Sequence, residues 1–201
     1  MAKHGFPADG YTPLAPGKLA AVVTYLEMRA PPAAAPPPPQ GWRLDPIGAD
    51  LPRYRSLYAE VGEPWLWNSR RTIPDAALAA ILSDPRVEPF AVREGGRDIG
   101  LVELDFRSQD PEVAFFGLVP DRTGRGLGRA VMAHAVARAF APPGVARIFL
   151  HTCTLDDPRA IGFYRACGYR PYARAIEILD DPRLTGQMPR DCAPQIPVIE
   201  G

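Results

Sequence analysis

The sequence predicts an α/β fold, an α+β mixed sheet with helices packed on it. Three observations lead there. Short apolar runs alternate with segments of helical period, in the order strand, two helices, three strands, helix, strand, helix, strand. Between Glu112 and Ala141 a strand runs straight into a glycine loop and then into a helix. The 201 residues are 46% hydrophobic and 23% charged, which suits one soluble domain with a full-sized core.

The first run, "AAVVTYLEM" (residues 20–28), reads as a strand. A lone strand cannot stay folded, so it is expected to join the sheet of the main domain. Then "APPAAAPPPP" (residues 30–39) favours extended polyproline geometry and reads as a semi-rigid connector. "WRLDPI" is a short strand. "DLPRYRSLYAEVG" (50–62) is a helix closed by Gly62, and "PDAALAAILSD" (74–84) is a second with proline at its start. "PFAVREGGRDIGLVELDF" is a hairpin around "EGGR". "EVAFFGLVP" (112–120) is an apolar strand feeding the glycine loop, and the helix beyond it runs to about Ala141. "ARIFLHTCT" (146–154) is a strand. "DDPRAIGFYRACG" (156–168) is a helix with Asp157 as N-cap, and "YRPYARAIEIL" is the last strand. The proline-rich tail is expected to be loose. The expected divisions are residues 1–40 as an N-terminal arm, 41–180 as the domain and 181–201 as the tail.

Composition excludes several classes of partner. Formal net charge is zero, so bulk attraction to nucleic acid or to an anionic membrane is not expected. Three cysteines without paired spacing read as cytosolic thiols. No signal peptide or transmembrane segment is expected, and the default address is cytoplasmic. His151 and Cys153 share a strand face, but two ligands do not make a metal site, so no metal is expected.

The loop "PDRTGRGLGRAVM" (120–132) carries the chemistry. Gly124, Gly126 and Gly128 let the backbone turn sharply and approach a ligand closely. The first turn of the following helix leaves N–H groups unpaired, and its dipole favours an anion there, most often a phosphate. Arg125 and Arg129 add charge at the rim. Gly128, Val131, Met132, Ala135, Val136 and Ala139 fall on one helical stripe, which packs on the sheet and aims the helix end. A P-loop would need Gly-Lys-Ser/Thr, and "GLGRAV" has no lysine. A dinucleotide loop would need a third glycine where Arg129 or Val131 stands.

The segment resembles instead the pyrophosphate loop of the Gcn5-related N-acetyltransferase (GNAT) family, Gln/Arg-x-x-Gly-x-Gly/Ala. Gly126 and Gly128 match; Thr123 replaces Gln or Arg, with Arg122 or Arg125 as alternative sources of the missing charge. "DPRAIGFYRACGYRPY" resembles the family's later motif, Asn-x-x-Ala-x-x-Phe-Tyr-x-x-x-Gly-Phe. Ala160, Phe163, Tyr164, Gly168 and Tyr169 match, and Asp157 replaces the asparagine. The resemblance covers about residues 41–179 and implies a central, mostly antiparallel mixed sheet flanked by helices. It also implies transfer of an acyl group, most commonly acetyl from acetyl-CoA, to an amine.

Further site residues follow from that resemblance. Acetyl-CoA is expected where "EVAFFGLVP" and "ARIFLHTCT" splay apart, on the amides of Leu118 and Val119, with Gly124, Arg125, Gly126, Gly128, Arg129 and Asp157 holding the rest. Tyr164 is the expected general acid, since a phenol carries a proton at neutral pH; a plain core tyrosine is the alternative. Glu112 is the expected base, with Glu103 and His151 as runners-up; many relatives use a water chain instead. Trp65, Trp67 and Arg70 are expected to border the acceptor site, with Arg70 clamping a carboxylate; a small hydrophobic core there is the plainer alternative. The acceptor is a small-molecule amine or a peptide or protein amine, and a homodimer is compatible with the sequence. The competing functional reading is a non-catalytic acyl-CoA-binding regulatory module.

Overall fold

The computed structural model of the protein describes residues 9–31, 33–34, 36–37 and 40–200. The polyproline expectation at positions 32, 35, 38 and 39, and the reading of positions 1–8, lie outside the described residues. Among the described residues seven strands form one sheet: β1 (Lys18–Met28), β2 (Trp42–Pro46), β3 (Val87–Glu94), β4 (Arg97–Asp105), β5 (Glu112–Leu118), β6 (Ile148–Cys153) and β7 (Arg170–Asp180), in the spatial order β2-β3-β4-β5-β6-β1-β7. All neighbours are antiparallel except β5 and β6. The helices are α1 (Leu51–Gly62), α2 (Ser69–Thr72), α3 (Asp75–Leu82), α4 (Leu127–Ala139) and α5 (Ala160–Ala166).

The first strand is not an appendage. β1 sits inside the sheet, six of its residues paired with β6 and ten with β7. Its alternating pattern buries Leu19, Ala21 and Val23. The hairpin turns on Gly95 and Gly96, both at positive φ, as a tight two-residue loop between twisted strands requires.

One sheet face carries α1 and the other carries α4 and α5. Phe115 packs edge-on against Tyr58 of α1, while its neighbour Phe116 stacks on Phe163 of α5. α1 starts where the Asp50 carboxylate accepts the Arg53 amide at 3.1 Å. Gly62 is the last residue of α1 and has an ordinary helical conformation. It is glycine because a Cβ would stand 2.4 Å from Cβ of Trp67. α4 buries Val131, Met132, Ala135, Val136 and Ala139 on the predicted stripe.

Two expectations need correction. α5 begins at Ala160, later than read from the sequence, and its N-cap is Arg159. The Asp157 carboxylate instead closes a short turn on the Arg159 amide at 2.9 Å. The tail is packed, not loose. The guanidinium of Arg183, 1% exposed, pairs with Asp181 at 2.7 Å and donates to the carbonyls of Cys192, Ala193 and Ile196. Around that staple Met188, Cys192 and Ala193 bury against Leu19 and Leu66. Low hydropathy hid this segment, because it is held by one buried arginine and not by a periodic apolar stripe. Among the described residues, no helix is long and apolar enough to cross a membrane.

Candidate functional site

β5 and β6 run parallel but pair at a single position, Glu112 opposite Phe149. Beyond it no ladder joins them, and each keeps its other neighbour, β4 for β5 and β1 for β6. The sheet is therefore split along its middle, closed at Glu112 and open toward Leu118. A bulge adds to the divergence: Glu103 pairs Phe115 while Leu104 pairs Val113, leaving Ala114 as the extra residue in β5.

The split leaves backbone donors without strand partners. The Val119 amide donates to Ile99 O at 3.0 Å. By alternation the amides of Gly117 and Phe115 also face β4, and those of Leu118 and Phe116 face the split. The expectation is thus corrected for Val119, whose N–H is engaged by β4. The amides left facing the split are those of Leu118 and Phe116.

At the mouth of the split, on the α4 face, lies the glycine loop. Gly124 and Gly126 adopt φ of 78° and 81°, and Gly126 caps α4 with no side-chain help. Among the described residues no protein acceptor meets the amides from Gly124 to Gly128. Gly128 faces the Phe163 ring and Leu118, where a Cβ would make ordinary contact. Arg122 is tied to Glu94 at 3.1 Å, and the Thr123 hydroxyl donates to Pro120 O. Arg125 and Arg129 are exposed beside the loop. A shallow cleft of about 340 Å³ adjoins it, lined by Trp42, Glu94, Arg122, Arg125, Gly126 and Leu127. The residues present fit the pyrophosphate of the expected carrier: positive-φ glycines, amides without a described protein acceptor and two exposed cations. The Asp157 carboxylate is paired with Arg159 at 2.6 Å.

Tyr164 stands on the same face, 9% exposed, with Phe116, Phe163 and Tyr169 around its ring. Burial first, then the nearby Asp156 and Cys167, push its phenol above the ordinary tyrosine range. It therefore holds its proton at neutral pH. Tyr169 has a sealed hydroxyl without a partner, and Tyr164 does not.

On the α1 face, at the closed end, the predicted base and one runner-up meet. His151 Nδ1 lies 2.9 Å from Glu112 Oε1. That hydrogen bond raises the imidazole above its ordinary value, against the opposing effect of burial. The His151 side chain is 49% exposed, so the ring remains open to solvent on this face. Burial and the Asp156 carboxylate push the Cys153 thiol, also on this face, up to about 11.

The other runner-up and the predicted clamp form a different structure. Glu103 is 0% exposed; its Oε1 accepts from Arg70 Nη2 at 2.7 Å and its other oxygen from the Tyr54 hydroxyl. The Arg70 guanidinium lies 5.0 Å from the Phe115 ring centroid. Arg70 is thus a core cation neutralised by Glu103, and its expected role as a carboxylate clamp is corrected. Trp67 is also structural. Its ring packs on Tyr58 and Phe115 and over Gly117, and its indole N–H donates to Asp156 at 2.9 Å. Trp65 is half-buried in the 3-10 turn Glu63–Trp65.

Asp156 is the residue that sequence reasoning missed. One oxygen accepts from Trp67; the other accepts from the Thr152 hydroxyl at 2.7 Å and the Cys153 amide at 2.8 Å. It ties the loop above β5 to the end of β6 and so spans the open end of the split. Only its place after a strand, in "TLDDP", hinted at a loop carboxylate.

Residues 54–169 match the acetyltransferase (GNAT) family. None of the curated proteins matches the chain. It is similar to three solved structures. A functionally unknown conserved protein from Staphylococcus epidermidis ATCC 12228 has 13% identity and TM-score 0.61, over 82% of this chain and 63% of that one. A GCN5-related N-acetyltransferase from Sphaerobacter thermophilus has 18% identity and TM-score 0.57, over 83% and 52%. A GCN5-related N-acetyltransferase from Kribbella flavida has 20% identity and TM-score 0.54, over 83% and 60%. The chain thus spans less than two thirds of each of those chains, and the likeness is one of fold.

Proposed function

The chain belongs to the acetyltransferase (GNAT) family, and on that premise we propose that it transfers an acetyl group from acetyl-CoA to a primary amine by direct attack. The observation that carries the reading is the split sheet: one β5–β6 pair, then an opening with free amides and a glycine loop on one face and the His151–Glu112 pair on the other. A thioester supplies an electrophilic carbonyl carbon and a thiolate leaving group.

The chain's residues supply the rest. Amides of Gly124 to Gly128 hold the diphosphate, with Arg125 and Arg129 as counter-charges. The Phe116 and Leu118 amides hold the donor chain and face the carbonyl oxygen as charge develops on it. His151, with Glu112 fixing its tautomer, takes the proton of the attacking amine through its free Nε2. The amine nitrogen bonds to the carbonyl carbon, the carbon–sulfur bond breaks, and Tyr164 donates its proton to the departing sulfur. This reading moves the base from Glu112 to His151 and makes Glu112 its orienting partner. A thiol held protonated at Cys153 favours direct attack over an acyl-cysteine route.

The regulatory-module alternative lacks support, since a binding module has no need of an open imidazole–carboxylate pair and a proton-bearing phenol on opposite faces of the split. The test is release of free thiol from acetyl-CoA across a panel of amines, for the unsubstituted chain and for Tyr164→Phe and His151→Ala. Amine-dependent release that both substitutions depress supports the reading. Binding of acetyl-CoA without release across a broad panel sinks it.

A further inference from the structure

β7 is an edge strand of 11 residues, and all but Leu179 are exposed. Three large apolar side chains stand out on its corner of the sheet: Ile176 at 58% exposed, Ile178 at 59% and, on the neighbouring strand, Val22 at 43%. Pairing puts Val22 beside Ile176 and Ala20 beside Ile178, so these form one apolar block on the face that carries α5. Among the described residues nothing covers this edge, and a long, partly apolar edge is a template for another strand.

The direction of its free groups is fixed by observed bonds. The Asp181 amide donates to Gly17 O at 2.9 Å. By alternation, odd residues from Ala173 to Leu179 turn their N–H and C=O toward β1. Arg174, Ile176, Ile178 and Asp180 turn theirs outward. The regular edge begins after the bulge between Tyr25 and Leu26, where Tyr172 is the extra residue. Pro171, just beyond it, has no N–H to offer.

We infer that β7 pairs antiparallel with β7 of a second copy of this chain, about a two-fold axis at Glu177, making one continuous sheet. A two-fold interface must be self-complementary, and this register is so on the apolar face. Arg174 stands opposite Asp180 of the second copy, Ile176 opposite Ile178, and both contacts repeat by symmetry. Asp180 already pairs with Lys18 at 2.6 Å, so each carboxylate lies between two cations. The rows from Val22 through Ile176 to the other copy's Ile178 and Ala20 then run unbroken across the interface. A register centred on Ile176 would set Arg174 against Ile178 and forgo the charge pairing. The single unfavourable contact is Glu177 against itself on the opposite face. In this register it is a non-hydrogen-bonded pair with about 4.5 Å between Cα atoms. That spacing permits a disulfide.

The test uses the full chain and does not depend on its activity. Sedimentation equilibrium from micromolar to near-millimolar concentration should give twice the 21.9 kDa chain mass. Ile176→Lys, at an exposed position, should return the mass of one chain, with the melting curve that the unsubstituted chain shows at dilutions where it is a monomer. Glu177→Cys should form a covalent dimer on mild oxidation, above the background set by Cys153, Cys167 and Cys192 in the unsubstituted chain, while Ala175→Cys should not. A monomer at every concentration, an Ile176→Lys chain that still pairs, or cross-linking through Ala175→Cys in place of Glu177→Cys would each overturn the inference.

Discussion

Arg70→Ala tests whether the aromatic–basic loop is core or acceptor site. Glu103 is 0% exposed, and its Oε1 has Arg70 as its cationic partner at 2.7 Å. Removing one member of a buried pair leaves an uncompensated charge and costs about 3–5 kcal/mol. Loss of the guanidinium over Phe115 adds on the order of 0.5–1 kcal/mol. The pair total falls at the low end of that range, since the Arg70 side chain is 15% exposed and water can reach part of the vacated space. About 3 kcal/mol would lower the melting temperature of a chain this size by roughly 6–12 °C. Urea unfolding followed by tryptophan fluorescence measures it directly. The triple change Tyr54→Phe, Arg70→Met, Glu103→Leu replaces the network with apolar groups of similar volume and should recover most of the loss. A loss below about 1 kcal/mol, together with a tenfold rise in the amine KM, would show that Arg70 faces the acceptor and would refute the reasoning.

The remaining predictions concern the proposed chemistry and its supports. Because the Glu112 hydrogen bond raises the His151 pKa, and the base form is the neutral ring, activity should fall on the acid side along a limb lying above the ordinary histidine value. Glu112→Gln should move that limb to lower pH; a limb that does not move excludes His151 as base. Tyr164→Phe should lower kcat about 100-fold or more while leaving the donor KM nearly unchanged, measured by thiol release. Gly126→Ala places a Cβ on a residue at φ 81°, a strain of about 1–2 kcal/mol, so the donor KM should rise roughly 5- to 30-fold with the amine KM unaffected.

The parts of the fold that could be read from sequence are those set by local signals. The glycine loop was legible because positive φ at Gly124 and Gly126 leaves only one residue type at ease there. The α4 stripe was legible because one helical period covers Val131 to Ala139. The hairpin at Gly95 and Gly96 follows from turn chemistry. What escaped was decided by distant partners. Arg70 and Trp67 look like a solvent-facing loop until Glu103, 33 residues on, and Asp156, 89 residues on, are seen to meet them. The tail looks loose until Arg183 is placed among three carbonyls. Val119 and Leu118 are neighbours on one strand, and only the register with β4 decides which amide is free. Glu112 and His151 were weighed as rivals because nothing local says that β5 and β6 pair just there.

The central claim, that the parted strands and the glycine loop form a seat for acetyl-CoA, is tested most directly by calorimetric titration of the folded protein with that thioester. Saturable uptake at one equivalent per chain, weakened by Gly126→Ala and untouched by His151→Ala, is the predicted result. Absence of saturable heat at concentrations well above those at which acetyl-CoA occurs in cells would contradict it.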